Sequence, residues 1–176
     1  MPNREFQNAL YLPDGFATHQ DFDSYSPGQV GSVFTIKDTD GLAKRGQVVK
    51  MDSIATVAPA DGTLAYWVNR TSYLVSADLT ASGRGNRAGV FRAAALVNEL
   101  CVVQQGGKCS VWGIDSPTAA FSAAGLIVVP SATAGRADCL AAGTAATYPA
   151  IGTSAGTQDA TTKKADVSLD IEPNVP

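Results

Sequence analysis

From residue 30 onward, apolar and polar positions keep a short period, interrupted by turn residues at regular intervals. The clearest case is near the end. Ala165, Val167, Leu169 and Ile171 alternate with Asp166, Ser168, Asp170 and Glu172. A period of two places each set on its own side of an extended chain. This segment therefore predicts a half-buried strand with one wet face, ended by Pro173. Residues 30–37 predict another strand, closed by the turn Asp38-Thr39-Asp40-Gly41. Residues 47–51 and 54–57 follow, ended by Pro59-Ala60-Asp61-Gly62, and then residues 64–68 and 72–76. Short strands at a spacing of ~8–12 residues, punctuated by Gly, Pro and Asp, predict a sandwich or a barrel.

The middle of the chain reads less uniformly. Val90, Ala94, Val97 and Leu100 carry helical spacing, and the alanines of residues 89–97 favour helix. A strand over 89–92 followed by a turn fits the same residues. The sharpest local pattern is Leu-Cys-Val-Val-Gln-Gln-Gly-Gly-Lys-Cys-Ser-Val-Trp, residues 100–112. Gly106-Gly107 supplies the positive φ that a tight turn demands, so a hairpin is predicted between 100–105 and 108–112. In that hairpin Cys101 would face Trp112 and Cys109 would face Gln104. The two cysteines would then lie on opposite faces, unable to bond. With Cys139 they make an odd number lacking C-x-x-C spacing, which predicts buried free thiols. Residues 126–129 predict a fully buried strand stopped by Pro130. Residues 136–141 and 150–154 predict weaker strands, and the Ala, Thr and Gly of 141–162 predict long surface loops.

Residues 1–28 differ from the rest. Phe6, Tyr11, Phe16, His19, Phe22 and Tyr25 are mixed with polar residues without period, and Pro13, Gly15, Pro27 and Gly28 interrupt them. Disordered segments are poor in aromatics, so this reads as an irregular arm that docks on its own domain or on a neighbour. The expected organisation is an arm over 1–28 and a single β-rich domain over 29–176. The fold class is all-β: a compact antiparallel barrel or sandwich of short strands, with room for one short helix. A chain of 176 residues suits one such domain.

Composition narrows the partners. Charged residues make up 16% of the chain, against about 25% in a typical soluble domain. Thirteen basic and sixteen acidic residues leave a formal charge of −3. Nucleic-acid binding needs Lys and Arg to neutralise phosphates, so none is expected. Arg84, Arg87 and Arg92 form a local basic cluster, suited either to solvent or to an acidic protein surface. No run approaches the ~18 apolar residues of a membrane span. The opening Met-Pro-Asn-Arg-Glu-Phe lacks an apolar stretch behind a charged start, which predicts cytoplasmic synthesis.

The residues that carry chemistry are sparse. His19 is the single histidine and lies in the arm, so neither a Ser–His–Asp nor a Cys–His arrangement is expected. One His and three scattered Cys do not make a zinc site. Asp38-Thr39-Asp40-Gly41 opens like a calcium loop, but the position of the closing Glu is Val49. Asp21 and Asp23 read as solvated charge. The loop Gly83-Arg84-Gly85-Asn86-Arg87-Ala88-Gly89 has one residue too many for a dinucleotide-binding fingerprint. Tyr66, Trp67 and Tyr73 could form an exposed platform for sugar, or a core cluster, which is the commoner fate of strand aromatics. No catalytic residue, metal or cofactor is expected, and the chain is not expected to be an enzyme.

Residues 62–171 resemble the small capsid-associated proteins of tailed phages, including decoration (cement) proteins. The resemblance rests on Ala88-Gly89-Val90-Phe91 after an Asn/Arg loop, and on Val102-Val103-Gln104-Gln105-Gly106-Gly107-Lys108 before an apolar strand. It continues through the strand near 126–129, the small residues around Ile151-Gly152 and the closing strand 167–171. The arm and the cysteines lie outside it. The resemblance implies a virion protein, made in the host cytoplasm, that binds the outside of the shell where major capsid proteins meet and resists internal pressure. It leaves open a surface trimer or a monomer. Candidate contacts are Phe6, Tyr11, Phe16 and Phe22 of the arm, together with Arg84, Arg87 and Arg92. The alternative is a phage surface-binding module for carbohydrate or a host receptor.

Overall fold

The computed structural model describes residues 30–37, 42–52, 57–79, 83–114 and 121–174. The arm, His19, the Asp38–Gly41 turn and the predicted strand 54–57 fall wholly or largely outside these residues. The described chain is all-β: β1 (Val33–Lys37), β2 (Ala43–Met51), β3 (Leu64–Asn69), β4 (Leu74–Ser76), β5 (Arg87–Phe91), β6 (Leu100–Trp112), β7 (Ile127–Pro130), β8 (Ala137–Cys139), β9 (Gly152–Ser154) and β10 (Lys164–Asp170). The ambiguous segment 89–97 is strand through Phe91 and irregular after it.

Five strands close into a barrel. β2 pairs in parallel with β4, then the circuit runs antiparallel through β3, β5 and β6 and back to β2. β1 extends the same sheet beyond β2. A second group of strands, in the order β10-β9-β7-β8, continues from the far half of β6. Its last strand returns to the end of β6 through a single parallel bridge between Gly113 and Ala137.

The predicted hairpin at Gly106-Gly107 is not formed. Residues 100–112 are one continuous strand of 13 residues, shared by both groups. Up to Gly106, β6 pairs with β2; from Gly106 onward it pairs with β10. The glycines serve a close approach rather than a turn. Gly107 has φ +80°, and a Cβ there would lie 2.4 Å from the carbonyl oxygen of Ala43 at the start of β2. The adjoining glutamines complete the exchange of partners. Gln104 Nε2 donates to the carbonyls of Gly106 (3.0 Å) and Lys108 (2.9 Å), where the ladder changes hands. Gln105 Nε2 donates to Gln47 Oε1 of β2 (3.0 Å) and to the carbonyl of Ala88 in β5 (2.9 Å). The predicted Cys101–Trp112 and Cys109–Gln104 pairs therefore do not exist. Cys101 sits opposite Val49, and Cys109 sits opposite Val167.

Two cores lie on the two faces of β3. Val49, Met51, Ala65, Trp67, Val75, Phe91, Cys101 and Val103 fill one. Leu64, Tyr66, Val90, Cys109, Val111, Phe121, Val128, Ile151, Val167, Leu169 and Ile171 fill the other. β3 explains the arrangement, since successive side chains point to opposite faces. Leu64 and Tyr66 enter one core while Ala65 and Trp67 enter the other. β10 keeps its predicted alternation, with Ala165, Val167 and Leu169 buried and Ser168 and Asp170 exposed. β7 departs from expectation: Ile127 is 42% exposed, and Pro130 belongs to the strand as its last residue. Proline is tolerated there because a strand end need not donate to the ladder.

Gln47 gathers the two ends of the described chain. Its Nε2 donates to the carbonyls of Gly31 (3.1 Å) and Asn174 (2.7 Å), and its Oε1 accepts from the Asn174 amide (3.1 Å). Arg45 Nη2 donates to the Ile171 carbonyl at 2.6 Å. The two ends of the described chain thus meet at one place on β2.

Candidate interaction surface

The three arginines expected to cluster are separated. Arg87 opens β5 and Arg92 follows its end, so about 16 Å of extended chain lies between them. Arg84 lies over the ring of Tyr148, 5.0 Å from its centroid. Arg87 is half-buried; burial lowers its pKa, the nearby Arg70 adds to this, and Glu172 and Asp170 oppose it. Arg92 turns inward. Its Nη1 donates to Gln104 Oε1 (2.9 Å) and to Cys109 Sγ (3.3 Å), and its Nε lies 3.6 Å from Asp61 Oδ1.

Arg92 instead joins a cluster that the linear sequence does not announce. Asp61 Oδ2 lies 3.0 Å from Lys164 Nζ at the start of β10. The Asp61 carbonyl accepts from Trp112 Nε1 at 3.0 Å. The Trp112 ring, half-buried at the end of β6, has Lys164 at 5.2 Å and Arg136 at 5.9 Å. Arg136 Nη1 also donates to the Gly113 carbonyl at 3.0 Å, beside the bridge that returns β8 to β6. These contacts brace the junction of the two strand groups. The signal for them is spread over Asp61, Arg92, Trp112, Arg136 and Lys164, which only tertiary pairing brings together.

The aromatic trio does not make a platform. Tyr66 and Trp67 are fully buried in opposite cores, and only Tyr73 is partly open, edge-on to Trp67 with ring centroids 6.4 Å apart. The thiols of Cys101, Cys109 and Cys139 are free and buried. Burial pushes Cys101 up to about 12, with Glu99 adding to it. It pushes Cys109 up to about 11 against the opposing pull of Arg92. At neutral pH these are uncharged thiols that pack as small apolar groups.

The most exposed large apolar side chain among the described residues is Leu96, at 68%, with Val97 beside it at 47%. They cap the connection between β5 and β6, and the loop is fastened rather than loose. The Leu96 amide donates to Glu99 Oε2 (2.6 Å) and the Glu99 amide to the Leu96 carbonyl (3.1 Å). The Asn98 amide donates to the Met51 carbonyl and the Met51 amide to the Glu99 carbonyl, both at 2.9 Å. Asn98 holds φ +69°, a conformation that costs a non-glycine residue about 1 kcal/mol or more. Two apolar side chains are thus presented on a rigid projection.

No family model, curated protein or solved structure matches this chain. Its surface must therefore be read from its own geometry. That geometry is a braced junction in which Asp61 links Arg92, Lys164 and Trp112 and Arg136 lies by the Trp112 ring, and a rigid apolar projection at Leu96-Val97. No group of three or more His, Cys, Asp or Glu side chains suited to a metal occurs among the described residues.

Proposed function

We propose that this chain is a structural virion protein that binds the outer surface of a tailed-phage capsid and stabilises it without catalysis. The resemblance of residues 62–171 to capsid decoration proteins supplies the class of partner. The observation that carries the mechanical part is β6. One strand belongs to both strand groups, so load applied to either is passed along a continuous ladder of backbone hydrogen bonds. The Asp61 cluster and the Gly113–Ala137 bridge brace the same junction.

In this reading the Leu96-Val97 projection enters an apolar depression between capsid subunits. Rigid presentation lowers the entropy lost on docking. The aromatic side chains Phe6, Tyr11, Phe16 and Phe22 of the arm anchor a neighbouring subunit, as aromatics do in interface hot spots. Many copies, each touching several subunits, gain avidity from modest individual contacts. The carbohydrate-binding alternative has less support: two of its three aromatics are in the cores, and both cations near Trp112 approach its ring.

Co-sedimentation with expanded, undecorated shells tests the proposal. The expected result is saturation at a fixed small-integer ratio of copies per capsid subunit. Leu96→Asp should leave thermal unfolding unchanged and weaken shell binding at least about tenfold, the cost of about 1.4 kcal/mol of lost apolar contact. Absence of wild-type binding to intact shells of the matching phage would remove the function proposed. Binding that survives Leu96→Asp would remove only the projection from it.

A further inference from the structure

The strand order of the sheet ends at β1 on one side and β8 on the other. β8 turns back to β6 through the Gly113–Ala137 bridge. β1 pairs with β2 alone, and its other edge has no partner strand among the described residues. Such an edge presents a row of unpaired backbone groups, which native folds cover or blunt. β1 is little blunted: Val-Phe-Thr-Ile-Lys holds no proline and has one charged residue, at its last position.

The register fixes which groups face that edge. The Gly31 amide donates to the Val48 carbonyl (2.8 Å), and the Val48 amide donates to the Ser32 carbonyl (2.9 Å). Antiparallel pairs alternate between bonded and non-bonded, so the next bonded pair is Phe34 with Gly46. The peptide groups of Phe34 therefore face β2, and those of Val33 and Thr35 face the open edge. The Phe34 side chain is buried over Gly46, whereas Thr35 is exposed. Behind Gly31 the line of β1 is blocked. β6 holds one edge of β2, and Tyr73 and β4 take up the other beyond β1. The Lys50 amide donates to the Tyr73 carbonyl (2.9 Å), and a Cβ on Gly31 would lie 2.5 Å from the Tyr73 ring. The chain turns there at Val30-Gly31, with Gly31 at φ +87°.

We infer that residues 24–27, just ahead of the described residues, return along this edge and pair with β1 as a further antiparallel strand. Three observations select this occupant. The first is pattern. Ser24 and Ser26 alternate with Tyr25 and Pro27. A loop of residues 28–31 has an ordinary hairpin length and sets Ser26 opposite Val33, Tyr25 opposite Phe34 and Ser24 opposite Thr35. Opposite residues share a side, so Tyr25 and Pro27 join the side of Phe34 while the serines join that of Thr35. The second is proline. In this register the Ser24 and Ser26 amides face β1, and Pro27 takes a position where the ladder needs no donor. A slip of one residue would put Pro27 at a donor position and exchange the two sides. The third is the tether. The segment is joined to β1 by four residues, so its effective concentration at the edge is about millimolar, and a peptide arriving from solution must compete with that.

Amide hydrogen exchange of the full chain, read residue by residue by NMR at low and high protein concentration, tests the inference. The Val33 and Thr35 amides should exchange at least about tenfold more slowly in the wild type than in Ser26→Pro, which removes a ladder donor. The Ser24 and Ser26 amides should be slowed with them, and the Tyr25 amide, which faces away, should not. Ser24→Pro gives the same comparison at Thr35 if Ser26→Pro disturbs the turn. Fast exchange at Val33 and Thr35 in the wild type overturns the inference. So does protection that neither proline removes, and so does protection that appears only at high concentration, which would mean a strand from a second copy. The measurement uses no shell, so its failure leaves the shell-binding proposal to its own test.

Discussion

Replacing Gly107 by alanine separates a strand that exchanges partners from a hairpin turn. In the structure Gly107 has φ +80°, and a Cβ would sit 2.4 Å from the Ala43 carbonyl oxygen and 3.1 Å from Lys44 Cα. Both neighbours are backbone of β2, which is fixed by its pairing with β6 and β1. The left-handed conformation costs a non-glycine residue about 1–2 kcal/mol. Displacing packed backbone adds about 1–3 kcal/mol, as overpacking generally does. Gly107→Ala should therefore destabilise by about 2–5 kcal/mol, a large part of the roughly 5–15 kcal/mol that holds a domain together. Gly106 is the internal control. The three atoms nearest its added Cβ would all belong to the Arg45 side chain, at 3.2 Å for Cβ and 3.6 Å for Nε, and its φ is not in the positive region. Much of that side chain can shift, so Gly106→Ala should cost about 1 kcal/mol or less. In a tight two-glycine turn Gly106 would hold positive φ, in type I′ together with Gly107 and in type II′ alone, so Gly106→Ala would be costly in either. Urea unfolding of the two variants gives the comparison from the midpoints at constant slope. Equal losses, or a Gly107→Ala loss below about 0.5 kcal/mol, would refute the shared-strand argument.

Gln47→Ala removes the clamp on both ends of the described chain, takes from Gln105 Nε2 one of its two acceptors and leaves the Asn174 amide without its side-chain acceptor. It should cost about 2–4 kcal/mol in urea unfolding, and a loss below about 1 kcal/mol would show that the buried network contributes little. Burial pushes the Cys101 thiol up from 9.0 to about 12, which corresponds to a difference on the order of 4 kcal/mol. A raised folded pKa gives stability that is complete below 9.0 and is lost as pH climbs toward the folded value. Urea midpoints should therefore fall between about pH 9 and pH 12, and less steeply in Cys101→Ala. Identical pH slopes in the two proteins would contradict the assigned burial of this thiol.

Local pattern carried much of this fold. The alternation at 165–171 depends only on which face of β10 meets the core, and a strand's own residues record that. The turn residues around 59–62 and the apolar residues 64–68 mark β3 for the same reason. The Gly106-Gly107 reading went the other way because glycine answers two needs that look alike in sequence. A tight turn requires its positive φ, and so does a strand that another backbone approaches closely. The approaching residue here, Ala43, is distant in the chain. Gln104 and Gln105 point to the second need once their bonds to Gly106, Lys108, Gln47 and Ala88 are seen, but amide side chains are equally at home beside turns. The candidate surface was less legible still. Arg84, Arg87 and Arg92 are close in sequence, yet β5 runs between the last two and turns Arg92 toward Asp61.

Local sequence specifies an all-β domain of short strands, the wet and dry faces of its last strand, and thiols left free inside. These follow from periodicity, turn chemistry and cysteine spacing, which act over a few residues. Tertiary structure decided that β6 serves two strand groups, that Tyr66 and Trp67 enter different cores, and that Asp61, Arg92, Trp112, Arg136 and Lys164 meet. Those outcomes depend on which distant strands pair and in what register. A pairing choice is settled by the summed burial and hydrogen bonding of the whole domain, and no short segment contains it.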